Sequence, residues 1–182
     1  VKNSDYKNIF IPSVPDDSGA GLGAALYVNY CINKERKRIN FFNNYLGPYY
    51  KNSKILKELK KFKLKYEYVE NIYDDAANSI IQGKIIAWFQ GNLEFGDRAL
   101  GNRSILADPR NQNIKDKINK TIKYRETFRP FAPAILEEKV SEFFESSQTS
   151  YYMEKALIIK KGKRKLIPSV THVDGTGRLQ TI

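Results

Sequence analysis

From Phe10 the chain reads FIPSVPDDSGAGLGAALYVNYCI: a short apolar run, a Pro-bounded turn, then a stretch of small and apolar residues. The pattern predicts a short strand followed by a helix to about Tyr30, with Asp16, Asp17 and Ser18 as N-cap chemistry. Gly21 and Gly23 fall inside that helix, where glycine costs about 1 kcal/mol, so either close helix packing or a closely passing ligand or backbone is implied. Residues 33–52 turn polar, basic and Asn-rich around LGPYY, the character of a linker. Ser53 then caps a helix to about Lys61, KLKYEYVE alternates like a strand, and residues 74–82 read as a helix closed by Gly83. KIIAWF, residues 84–89, is a compact apolar run that predicts a buried strand.

Further along, the pattern gives a helix over about 112–122, the loop KYRETFRPFAP, and a strand-to-helix passage in AILEEKVSEFF. Strands follow over 154–160 and 167–173, and HVDGTGR closes the series as a turn. Helices and strands alternate without a strict βαβ period, which places the chain in the α/β (α+β) class with a mixed sheet.

Composition changes this picture in three ways. With 41% hydrophobic and 13% aromatic residues in 182, the chain supports one domain, or one domain and a piece of another. No apolar run reaches the roughly 18 residues of a membrane span, which argues against a membrane partner. The single cysteine, Cys31, excludes an internal disulfide, fits a reducing, cytoplasmic compartment, and reads as a small core hydrophobe in ALYVNYCI. The net charge of +11 points to nucleic acid, phosphorylated ligands or acidic surfaces, although the scattered lysine pairs read as a solvated face.

The remaining cations are concentrated in loops. GNLEFGDRALGNRSILADPR carries Arg98, Arg103 and Arg110 among Gly91, Gly96 and Gly101, and Lys123, Arg125, Arg129 and Arg178 lie in later loops. Arginine offers a planar fork of donors that matches phosphate, and neighbouring glycines let backbone N–H groups approach the same anion. The alternative is pairing with Glu94, Asp97, Asp108 and Glu126, but four acids cannot match seven cations. A phosphate-bearing ligand is the reading these residues favour.

EFGDRALGNRSILADPR, NKTIKYRETFRPFAPAIL and THVDGTGRLQT resemble three successive signatures of the O-carbamoyltransferases, the group of nodulation-factor and antibiotic carbamoyltransferases. The resemblance implies that residues 1–35 are the tail of an actin/sugar-kinase-like carbamoyl-transfer domain. It makes 36–182 a YrdC-like domain, incomplete at its C-terminus, with a twisted mixed sheet flanked by helices. Such a protein forms carbamoyl adenylate from ATP and carbamoyl phosphate and transfers the carbamoyl group to a hydroxyl of a sugar, antibiotic or other small molecule. By motif position the resemblance assigns Arg98, Lys123, Arg129 and Arg178 to catalytic anion binding. It places Arg125, Arg103, Gly101 and His172 at the co-substrates, and gives Asp17 to a divalent metal, Mg or Fe.

For Asp17 the residues alone favour a helix N-cap, and for His172 a satisfied core histidine is the alternative. Two departures stand out: Asp97 occupies a position where the family often has Pro, and the chain stops at Ile182, before the family's later Asn/Ser-containing segment. The implied partners are small-molecule substrates and the rest of the kinase-like domain, without which the segment is expected to be inactive. A competing reading is a basic RNA- or nucleotide-binding module, on the strength of KFKLKYEY and NFFNNYLGPYY.

Overall fold

Small residues carry the chain into its first helix. In the computed structural model, which describes residues 5–37 and 43–182, α1 spans Ser18–Tyr27 and continues as a wider turn over Val28–Ile32. No residue of α1 is buried, and a Cβ placed on Gly21 or Gly23 would meet nothing within 4 Å. These glycines therefore do not serve close packing within the described residues. The expected strand near Phe10 does not form, because no partner strand lies alongside it. Cys31 is exposed rather than a core residue, since no residue of the turn that carries it is buried. Of the predicted linker, residues 38–42 lie outside the described residues; residues 43–51 carry no regular element.

α2, Asn52–Lys61, and α3, Ile72–Ile81, form where the pattern places helices, but Ser53 does not cap the first: it lies inside α2, and Lys51 stands at the N-cap without a side-chain cap bond. Asn71 caps α3 by accepting from the Asp74 amide at 3.3 Å, and Gly83 closes it with a φ of +80°, a conformation that favours glycine. Residues 63–70 between them are not a strand: alternation there finds no ladder, and Tyr68 stands 93% exposed.

β1, Ile86–Phe89, pairs antiparallel with β2, Arg103–Leu106, in the register Ile86↔Leu106 to Phe89↔Arg103. The glycine–arginine stretch is thus a hairpin loop whose far side is itself a strand. β1 alternates half-buried and exposed positions, so its apolar run covers both faces of an edge hairpin instead of lying buried. α4, Ile114–Ile118, extends through a wide turn over Asn119–Lys123. β3, Ala134–Ile135, leads toward α5, Val140–Phe143, and β4, Ala156–Ile158, follows.

The predicted strand over 167–173 is instead a short 3-10 turn at Pro168–Val170, where Pro168 has no N–H to give a ladder. The strands lie just beyond it, β5 at Thr176–Arg178 and β6 at Gln180–Thr181. β5 pairs antiparallel with β4, and β6 pairs parallel with β3. Parallel and antiparallel pairs among helices make a mixed α/β fold without a closed barrel.

The core gathers in the second half of the chain, where Val140, Phe144, Ile159, Ile167, Val170 and Leu179 pack together with Phe131 and Ile135 against them. Burying these side chains contributes roughly 1.5–3 kcal/mol each. Because Leu179 separates β5 from β6, the same core that buries it fixes Arg178 and Gln180 on either side.

Candidate functional site: an arginine-lined cleft

A cleft of about 430 Å³ opens between the β1–β2 hairpin, α4 and the β5–β6 segment. Its wall includes Arg98, Lys123, Arg125 and Arg178, four cations from three separate stretches of sequence, with Lys115 and Phe131 among them.

Each loop is held by a buried polar side chain. Glu94 is 6% exposed, and its Oε1 accepts from the amides of Leu100 and Asn102, both at 2.8 Å, and of Arg103 at 3.3 Å. One carboxylate thereby gathers the GDRALGNR loop around itself, as a buried charge must when no cation pairs with it. Tyr45 Oη and Gln180 Nε2 both donate to the Leu100 carbonyl, at 2.9 and 3.0 Å. Gly96 and Gly101 bend the loop with φ of +109° each.

Asn119, fully buried, does the same for the second loop. Its Nδ2 donates to the Arg129 carbonyl at 3.0 Å and to that of Thr127 at 3.4 Å, while its Oδ1 accepts from Arg125 Nε at 2.7 Å. The Arg125 guanidinium also lies over the Phe131 ring, 4.7 Å from its centre. Arg178 is fixed by the β4–β5 ladder opposite Ala156.

Burial and like charge both act on the arginines of the cleft. Burial pulls the Arg178 guanidinium below its usual range; the charges of Arg98 and Arg125 add to this, and Asp97 opposes it. Arg125 is lowered likewise, first by burial and then by Arg129, with Glu126 opposing. Among the described residues no ion pair joins Lys123, Arg125 or Arg178 to a carboxylate. Like charges held together and partly desolvated are unfavourable unless an anion fills the space between them.

One acid stands at the rim. Asp97 lies 3.7 Å from Arg98 Nε, and the hydrogen bond it shares with Asp16 raises its pKa while lowering that of Asp16. This pair of carboxyls joins the entry of α1 to the cleft.

Not every predicted residue reaches this cleft. Arg129 is outside its wall, 3.7 Å from Glu126 in an exposed pair. Arg103 is turned away: its guanidinium donates to the carbonyls of Gln90, Asn102 and Gly91 and covers the Phe89 ring at 3.5 Å. Arg110 forms a two-pronged pair with Asp108, at 2.7–3.0 Å. The Gly101 amide is engaged by Ser104 Oγ at 3.0 Å and is not free for a ligand. His172 sits behind the wall, its Nδ1 3.0 Å from Thr176 Oγ1.

Asp17 precedes α1 without making a side-chain cap bond; the neighbouring Asp16 accepts from the Ser18 amide at 2.8 Å instead. Among the described residues no group of three or more His, Cys, Asp or Glu side chains could hold a metal, so these residues do not fit a metal centre on their own. Sequence reasoning passed over Glu94 as a loop anchor and over Asn119 altogether, and it took Asp16 only as N-cap chemistry, not as a partner of Asp97. The only advance signal for the first was an acid opening a loop rich in unpaired backbone donors.

Comparison with known proteins identifies the family of the chain. Residues 77–182 match the family described as "Carbamoyltransferase C-terminus". The chain is 40% identical over 188 residues to "Nodulation protein NolNO" of Sinorhizobium fredii, an alignment that covers 100% of this chain and 28% of that protein. It is 40% identical over 183 residues to "Nodulation protein NolO" of Bradyrhizobium diazoefficiens, covering 97% of this chain and 33% of the relative. It is 28% identical over 184 residues to "3'-hydroxymethylcephem-O-carbamoyltransferase" of Streptomyces clavuligerus, covering 97% and 32%. The chain thus spans about a third of the length of these relatives.

Proposed function

This chain belongs to the carbamoyltransferase family, and from that premise we propose that its arginine-lined cleft binds the phosphates of ATP and carbamoyl phosphate within an ATP-dependent O-carbamoyltransferase. The observation that carries the reading is the convergence of Arg98, Lys123, Arg125 and Arg178 on one cleft whose wall holds a single carboxylate, Asp97. In the proposed chemistry a carbamate oxygen, freed as carbamoyl phosphate gives up its phosphate to water, attacks the α-phosphorus of ATP. Carbamoyl adenylate forms and pyrophosphate leaves. The guanidiniums offset the charge that grows on the departing oxygens, and their fixed positions place the two anions for attack.

Transfer to an acceptor hydroxyl then belongs to a further, kinase-like part of the polypeptide, which would also supply the divalent metal's ligands together with Asp17. The exposed, apolar α1 supports this, because such a helix requires a surface to cover it. The acceptor class follows the relatives: a sugar of a nodulation factor, an antibiotic, or another small hydroxyl compound. The chain alone is expected to bind polyphosphate but not to carbamoylate.

The test is pyrophosphate release by the polypeptide at the full length of its relatives. Lys123→Ala should reduce it about ten- to a hundred-fold, since a lost bond to a charged group is worth about 1.5–3 kcal/mol. Near-normal release by a folded variant would contradict the reading.

A further inference from the structure

His172 is the only histidine of the chain, and its Nε2 is sealed from solvent with no hydrogen-bond partner among the described residues. The other edge of the ring determines which nitrogen carries the hydrogen. Thr176 Oγ1 donates to Asp174 Oδ1 at 2.8 Å, and the Thr176 amide donates to the same oxygen at 2.9 Å. Those two bonds hold the Asp174 carboxyl below the usual carboxylate range, so it is ionised and only accepts. A hydroxyl has one proton to give. Having given it to Asp174, Thr176 Oγ1 can only accept at its 3.0 Å contact with the ring, and Nδ1 must be the N–H. Nε2 is then a bare lone pair. Burial holds the ring's pKa below the usual histidine value, Arg178 and Lys115 push it the same way, and Asp174 opposes; the ring is neutral at pH 7.

The location gives the lone pair a use. Arg178 and Lys115, the two cations acting on the ring, line the cleft, and so do Ser169 and Val170 just before His172. The ring therefore stands directly behind a wall whose charged groups are chiefly hydrogen-bond donors. Such a wall suits phosphate, and it offers an N–H group few acceptors besides Asp97, Gln180 and the serine hydroxyls.

We propose that His172 Nε2 accepts a hydrogen bond from the amide of carbamoyl phosphate while Arg178 and its neighbours hold the phosphate, so that the site separates a carbamoyl phosphate from other acyl phosphates. The assignment rests on the cleft being the carbamoyl phosphate site. Because Nε2 is sealed from solvent in the structure, the bond requires the cleft wall in front of the ring to move when the anion binds. His172 contributes recognition and leaves the chemistry to other groups.

Because the histidine is unique, nitrogen-15 NMR of the histidine-labelled chain reads it directly. The expected result is an Nδ1–H tautomer at neutral pH, with the Nε2 resonance moved by carbamoyl phosphate and unmoved by acetyl phosphate, which carries a methyl group in place of the amide. Calorimetry should show carbamoyl phosphate binding about tenfold tighter than acetyl phosphate, a preference that disappears in His172→Phe and persists in part in His172→Gln. An Nε2–H tautomer overturns the proposal without any ligand. Equal affinities for the two acyl phosphates, or an Nε2 shift produced by ATP alone, overturn it and leave the cleft reading standing. If neither acyl phosphate nor inorganic phosphate binds, the cleft reading falls too.

Discussion

Asp97 shows how a single side chain sets the affinity of the cleft. Its charge sits 3.7 Å from Arg98 Nε and acts on Arg178, so when ionised it competes with any bound anion. Its pKa is raised, chiefly by the hydrogen bond with Asp16, so it takes up a proton at higher pH than an ordinary carboxyl. The sign follows directly: as pH falls through that raised value, the cleft gains positive charge and anion binding strengthens. The stabilising contact with Asp16 is likewise present below the ordinary carboxylate pKa and is lost as pH rises through the raised one. Asp97→Asn fixes the neutral form. At pH 7 it should bind pyrophosphate several-fold more tightly than the wild type, and its affinity should change less between about pH 4 and pH 7. Weaker binding by a folded Asp97→Asn would show that the carboxylate orients Arg98 instead of competing with the ligand.

At the scale of elements, the site depends on two loops each organised by one buried side chain, Glu94 and Asn119. Removing Asn119 leaves the Thr127 and Arg129 carbonyls and Arg125 Nε without their partner. These groups are part-buried, so each lost partner costs less than the roughly 1–3 kcal/mol of a fully buried one. Asn119→Ala should therefore lower the denaturation midpoint and weaken phosphate binding together, through Arg125. Urea unfolding followed alongside ATP binding checks this; a variant that loses stability with unchanged affinity would separate the loop from the site.

The sequence was legible where an element is decided locally. α3 closes at Gly83 and α1 follows Asp16 and Asp17, both as the local pattern announces, whereas the cap of α3 is Asn71, three residues before the start expected at 74. It misled where a ladder partner decides. Residues 63–70 alternate without finding a strand, whereas β2 is hidden in a stretch whose glycines and arginines read as pure loop. β5, likewise, was read as a turn because Gly175 and Gly177 mask its pairing with β4. The cations were visible as candidates, but which of them face the cleft was not. Arg103 and Arg110 look like Arg98 in sequence, and only the carbonyls of Gln90 and Gly91 and the carboxylate of Asp108 show that they are already engaged.

At the scale of the whole molecule, the chain exposes 13684 Å², whereas a compact monomer of 21.0 kDa exposes about 9,000 Å². Much of the excess is apolar and lies in the first half, where α1 and α2 bury no residue and Tyr27, Ile32 and Ile81 stand out in solvent. The cleft belongs to the better-packed second half, whose core fixes Arg178. Arg98 and Arg178, eighty positions apart, line that one cleft, and the proposed function has them act on one ligand. A double-mutant cycle measures this most directly, by titrating ATP into the wild-type chain, Arg98→Ala, Arg178→Ala and the double variant. Two guanidiniums on the same polyphosphate should be coupled by about 0.5–3 kcal/mol, so that the double variant loses less than the sum of the single losses. Strictly additive losses, or ATP affinity unchanged in folded single variants, would contradict a shared anion site.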